Sequence, residues 1–249
     1  MTLSSSSDRA VRPGAVGPTA DPARPRALVW DAPVRIGHWL VVLCFAGAWL
    51  TAESERWQLA HVTLGSTLGG LIAFRIAWGL VGTRHARFAS FIRGPRAVAS
   101  YLRSLVGPRP QHHTGHNPAG ALSVVALLLL AIAVTLSGWA ATAGPDHWLK
   151  ELHEAAASVM LAMVTLHVAA VAVSSWLHRE NLVRAMFSGR KHALPGDGIK
   201  RAWRSVGALM LVAVLGFWWQ QWSAPDLNAR AVGLHAAWRT MADHDDGDD

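Results

Sequence analysis

Long apolar blocks separated by short polar runs organise the chain. Five windows come close to the ~20 mainly apolar residues that cross the ~30 Å hydrocarbon layer of a bilayer: 34–52, 61–81, 119–141, 153–177 and 205–222. Lipid offers a backbone no hydrogen-bond partner, so each window is predicted to be a helix. The first is short and carries His38; the fifth ends in Trp218, Trp219 and Trp222. Those indoles, with Trp39, Trp57, Trp78, Trp139, Trp148 and Trp176 near other window ends, fit the aromatic belts of a membrane interface. The expected fold is an all-α membrane protein, a four-helix transmembrane bundle plus a fifth C-terminal transmembrane helix. Residues 1–28, rich in Ser, Pro, Arg and Ala, lack the apolar core of a cleavable signal peptide and read as a disordered tail. Residues 29–198 form the four-helix domain, and 199–249 the extra helix and an acidic tail.

Composition agrees. Charged residues make up only 16% of the chain and apolar ones 51%, against roughly 25% charged in a soluble domain, which argues against a soluble enzyme. The net charge of +7 suggests nucleic acid until its distribution is read. Five Lys or Arg precede or open the first window, six lie in 82–118 and seven in 178–204, against one each in 53–60 and 142–152 and two after 222. This asymmetry places the N-terminus and the long loop in the cytoplasm. Five crossings then leave the C-terminus, with Asp243, Asp245, Asp246, Asp248 and Asp249, in the periplasm. The single Cys44 cannot form an internal disulfide, and no C-x-x-C-H occurs, so any haem is held noncovalently.

Ionisable groups at bilayer depth are costly and point to function. Here they are mainly histidines. His153 and His167 are 14 residues apart, about 21 Å of rise and nearly four whole turns, so they share one face of the fourth window at two depths. With alternating helix directions, His38 and His167 fall on the cytoplasmic side and His61 and His153 on the outer side. Two pairs of neutral imidazoles in an apolar bundle suit two six-coordinate haem irons. Arg75, 14 residues after His61, lies at the depth of the inner pair, where it is placed to neutralise haem propionates or to snorkel toward the interface. A lone intramembrane histidine is more often a packing residue. Zinc is the main rival for these imidazoles, although zinc sites usually add thiolates, carboxylates or ligands close in sequence. His112, His113 and His116 form an H-H-x-x-H in the long loop and read as solvated. Arg84, Arg87, Arg93 and Arg96, with Phe88 and Phe91 between them, read either as an amphipathic stretch on anionic lipid or as a topology signal only. Gly65 and Gly69 clear room for a macrocycle rather than form a dimer motif, and His147 and His235 carry no assignment.

Several segments together resemble the bacterial cytochrome b561 family, which includes the b-type cytochrome subunit of nickel-iron hydrogenases. They are Val29 to Trp39 (VWDAPVRIGHW), Arg75 to Gly79, Ala86-Arg87-Phe88, Gly115-His116-Asn117-Pro118, His153-Glu154 with His167, and Asn181-Leu182-Val183. The resemblance spans roughly 29–195 and implies a four-helix dihaem b core passing electrons between a periplasmic redox partner and membrane quinone. It also implies His38, His61, His153 and His167 as ligands of two noncovalent b-type haems. The expected partners are a periplasmic cytochrome c or hydrogenase-like protein and quinone, in a bacterial inner membrane. Two alternatives remain: oxidation of superoxide or another small molecule at the outer haem, and a metal-ion-binding transporter whose histidines hold a bare cation. The fifth window and acidic tail lie outside the resemblance.

Overall fold

A computed structural model of the chain describes residues 26–92, 94–106, 115–143, 147–177, 179–193 and 196–223. In chain order the helices are α1 (Ala32–Thr51), α2 (Gln58–Val81), α3 (Phe88–Phe91), α4 (Pro95–Val106), α5 (Pro118–Ala143), α6 (His147–Leu177), α7 (Leu182–Ser188) and α8 (Arg204–Ser223). Two short strands, β1 (Arg26–Leu28) and β2 (Arg190–His192), pair antiparallel with Arg26 opposite His192. Strand β1 takes the last three residues of the segment expected to be tail; residues 1–25 and 224–249, with the acidic end and His235, lie outside the described residues.

Among the described residues, α1, α2, α5 and α6 are long and apolar enough to cross a membrane, matching four of the five windows. Their large apolar side chains face outward: Leu50, Leu80, Leu129, Leu136, Leu166 and Val173 are all more than half exposed. Water penalises such a surface and lipid does not; this is a membrane protein. The fifth window forms α8, as long as α1, but its last turns hold Gln220 and Gln221 and it is not among those four.

The helices adjoin in the order α8, α1, α2, α5, α6, with no more than a marginal backbone approach of α6 to α1 or α2. One core joins them, built from Leu40, Cys44 and Phe45 of α1, Leu68, Leu71 and Ile72 of α2, Ala131 and Val134 of α5, Met160 of α6, and Met210 and Val214 of α8.

Asp31 fixes one end of the bundle. Its Oδ1 accepts from Val34 N at 2.9 Å and caps α1, with Pro33 in the first turn where a missing N–H costs nothing. Its Oδ2 accepts from Trp78 Nε1 at 3.0 Å and Thr83 Oγ1 at 2.6 Å, so the start of α1 is tied to the end of α2. At the same end Gly189 closes α7 with φ +77°. Its carbonyl accepts from Val29 N and Trp30 N, and a Cβ there would meet Trp30 O at 2.7 Å.

The loop after α2 turns inward rather than lying on lipid. Phe88 packs against Gly79 and Phe91 is buried. Helix α4 rests on α5 and buries Tyr101 while Arg96 and Arg103 stay exposed.

Asp31→Ala removes a cap and two charge-assisted bonds and is expected to cost about 2–4 kcal/mol. Thr83→Val, which removes one of them, should cost less. Thermal melts in detergent check the ranking.

Candidate functional site

Two chambers lie at opposite ends of the bundle. At the end where α1 finishes and α6 begins, the rings of His61 (α2) and His153 (α6) face each other with centroids 6.2 Å apart and planes at 86°. His61 Nδ1 lies 2.8 Å from the Ala48 carbonyl of α1. His153 Nδ1 lies 3.0 Å from the Val134 carbonyl of α5 and 3.3 Å from Ser137 Oγ. A carbonyl can only accept, so both protons belong on Nδ1, and each Nε2 keeps its lone pair. That is the arrangement of metal-binding imidazoles, whose second nitrogen donates to a carbonyl. Gly138 makes room for it: a Cβ there would stand 2.9 Å from His153 Cε1 and 3.0 Å from its Nδ1. Gly65, one turn beyond His61, has nothing within 4 Å of where its Cβ would be.

At the other end, His38 (α1) and His167 (α6) are electrostatic neighbours. His38 Nδ1 is buried without a partner, and His167 Nδ1 lies 3.1 Å from Ser123 Oγ. Arg75, also expected from sequence, has a buried Nη1 without a partner and holds its guanidinium 5.0 Å from the Phe88 ring centroid.

His116 belongs to this chamber too, which corrects its reading as part of a solvated loop. Its ring lies between Trp30 (centroids 4.7 Å) and Phe91 (4.5 Å), and its Nδ1 is buried without a partner. Burial, reinforced by the charges of Arg75, Lys191, His85 and His167, pushes its pKa down to about 3, so it is neutral at physiological pH. Those neighbours are what the linear sequence conceals: Trp30, Phe91 and Lys191 come from three other segments. His112 and His113 lie outside the described residues, and His147 is exposed at the start of α6.

Lys191 is buried and 3.6 Å from Glu180, whose Oε1 accepts from His192 N at 2.8 Å. Burial lowers the Lys191 pKa and Glu180 opposes that. Among the described residues Arg75 forms no ion pair, and Asp31, bonded to its three donors, acts on it only through space. Among the described residues no group of three His, Cys, Asp or Glu side chains could hold a metal ion, unlike the four-ligand protein cage of structural zinc.

Residues 29–189 match the family model of prokaryotic cytochrome b561. The chain belongs to the prokaryotic cytochrome b561 family. This cytochrome b561 chain is 24% identical over 214 residues to the "Probable Ni/Fe-hydrogenase B-type cytochrome subunit" of Bradyrhizobium diazoefficiens, covering 68% of this chain and 87% of that protein. It is 27% identical over 139 residues to the "Probable Ni/Fe-hydrogenase 1 B-type cytochrome subunit" of Escherichia coli K12, covering 45% of this chain and 58% of that protein. The Rhodobacter capsulatus subunit of the same kind is 22% identical over 217 residues, 68% of this chain and 82% of that protein. No solved structure matches the chain.

A cytochrome b561 family member is a b-type cytochrome of membrane electron transport, and haem b is the group implied. The residues fit it. His61 and His153, with ring centroids 6.2 Å apart and each Nδ1 on a main-chain carbonyl, are residues that could hold its iron.

Gly138→Ala in this cytochrome b561 chain should cost about 1–3 kcal/mol and weaken the haem absorbance. Gly216→Ala, with nothing within 4 Å of its Cβ position, should change neither; detergent melts and spectra check both. Glu180→Gln leaves Lys191 buried beside a neutral amide and is expected to lower stability by about 3–5 kcal/mol, readable in the same melts.

Proposed function

We propose that the chain is a dihaem b-type cytochrome of the bacterial inner membrane that carries electrons between a redox protein at the outer face and the quinone pool. In this reading His61 and His153 ligate one iron and His38 and His167 the other. The observation that carries it is the outer pair: two rings 6.2 Å apart, each with its proton pinned on Nδ1 by a main-chain carbonyl. The inner pair is supported by the 14-residue interval on α6, the proximity of His38 to His167 and the unpartnered His38 Nδ1.

Haem b, when bound, supplies the reversible one-electron couple of its iron. The chain does the rest. The Ala48 and Val134 carbonyls would make the His61 and His153 imidazoles more basic ligands, and the chain's apolar helices exclude water. Arg75, with its unpaired Nη1, and His116, with its unpaired Nδ1, offer donors to the propionates of the inner haem. Buried positive charge also favours the reduced state of a nearby iron.

The excess of Lys and Arg at the Asp31 end supports a cytoplasmic N-terminus. Helix α8 starts there, with Gly207 beside Ala32 and Ile36, and runs alongside α1 until Trp218 Nε1 donates to Thr67 Oγ1 at 2.9 Å. That course supports a fifth crossing and a periplasmic C-terminus. Residues 29–198 are then the cytochrome domain, with α8 and 224–249 appended. A hydrogenase-like protein or a cytochrome c docks at the outer end, near Glu55–Trp57 and the start of α6; relatives named as hydrogenase cytochrome subunits support the former.

Protein purified in mild detergent is expected to carry two haems per chain with a b-type reduced-minus-oxidised spectrum. His61→Ala and His153→Ala should each lose one spectral component, and His38→Ala and His167→Ala the other. A single haem, or loss that follows a different pairing, overturns the assignment.

A further inference from the structure

A cleft of about 400 Å³ opens on the outside of the bundle between α1, α7 and α8. Arg35, Ile36, Trp39, Leu40 and Leu43 line its α1 side. At 100° per residue these five centre on a direction roughly 130° from His38, so the cleft turns away from the histidine chamber. Phe187 and Leu211 complete it, and the Trp39 ring stacks on Phe187 with centroids 4.2 Å apart and planes at 19°. From Arg35 to Leu43 the groove descends about 12 Å along α1, the reach of much of an acyl chain.

Its mouth is positively charged. Arg35 donates from Nη2 to the Phe187 carbonyl, but its Nε is buried without a partner. Arg204, the first residue of α8, stands near enough to act on Arg35 electrostatically. Gly207 brings it there: a Cβ at 207 would come within 2.8 Å of Ile36 Cδ1 and 3.1 Å of Ala32 Cβ, so only a bare backbone seats α8 this close to α1. Among the described residues neither arginine forms an ion pair. The carboxylate that acts on Arg35, Asp31, is fully buried and bonded to Val34, Trp78 and Thr83. Two like charges thus sit over an apolar groove without a free counter-ion, at the level where α1 begins.

We propose that this cleft binds one anionic phospholipid, its phosphate shared by Arg35 and Arg204 and one acyl chain laid along Trp39, Leu43, Phe187 and Leu211. The chemistry is that of basic pockets between membrane helices, where a fixed phosphate answers guanidinium donors and the chain fills apolar space. The site does not depend on the haem assignments.

Native mass spectrometry of the haem-loaded protein, equilibrated with phosphatidylglycerol or with phosphatidylcholine of the same chains, tests it. One phosphatidylglycerol should be retained per chain, about thirtyfold more tightly than phosphatidylcholine, as two arginines near a phosphate imply. The double variant Arg35→Gln/Arg204→Gln should lose that preference with the haem spectrum intact. If that variant fails to fold, Leu211→Trp decides: it fills the groove, keeps both charges and should expel the lipid. Glycerophosphoglycerol, the headgroup without chains, should not displace it. Equal retention of the two lipids, retention unchanged by Leu211→Trp, displacement by the bare headgroup, or displacement by a short-chain quinone overturns the proposal.

Discussion

An imidazole can give a lone pair to a metal from one nitrogen only when its proton is held on the other, and in this bundle two main-chain carbonyls do the holding. Ala48 lies in the last turn of α1, where carbonyls lack helical partners, so His61 of α2 satisfies a group that would otherwise be stranded at the bilayer edge. Thr51 Oγ1 shares that duty at 3.2 Å. The place where α1 stops therefore decides the tautomer and aim of a side chain on the next helix. Val134 plays the same part for His153 from within α5. There Gly138 lets α6 approach, and even an alanine would meet the ring. This end of the bundle is thus built less by the histidines than by two helix backbones that surround them.

The opposite end rests on Asp31. Its carboxylate joins the start of α1 to the end of α2, and so fixes His38, seven residues on, relative to Arg75, three residues before Trp78. Buried guanidinium and ammonium groups are tolerated in a low-dielectric chamber only with compensation. Glu180 gives it to Lys191; the Phe88 face gives Arg75 a weak substitute. His116 stays neutral in that field and keeps a ring nitrogen for hydrogen bonding. Arg75 Nη1 and His116 Nδ1 are left buried without hydrogen-bond partners.

The parts visible in sequence were those governed by local period. Apolar length marked α1, α2, α5 and α6, and the 3.6-residue repeat predicts that His153 and His167 share one face. His61 and His153 do meet. What escaped was non-local. His116 is enclosed by Trp30 and Phe91, 86 and 25 residues earlier, and no pattern within its own loop reveals that. Phe88 and Phe91 looked interfacial because of the Arg residues around them, of which Arg84, Arg87 and Arg96 are exposed, yet both rings turn inward against Gly79 and His116. Arg26–Leu28 pairs with β2, more than 160 residues away, and Leu28 O accepts from Ile199 N at 2.7 Å.

Helix α8 shows how a segment beyond the family match, which ends at 189, becomes part of the same body. Met210 and Val214 enter the common core. Trp218 reaches Thr67 of α2, whose own hydroxyl donates to the Thr63 carbonyl at 2.7 Å. A buried indole N–H needs an acceptor, so this bond helps set the rotation of α8 against α2. With α8 on one side and the histidine chambers on the other, α1 becomes a shared wall. The face bearing His38 is committed to the interior, and the face bearing Arg35 and Trp39 is left to whatever fills the cleft outside.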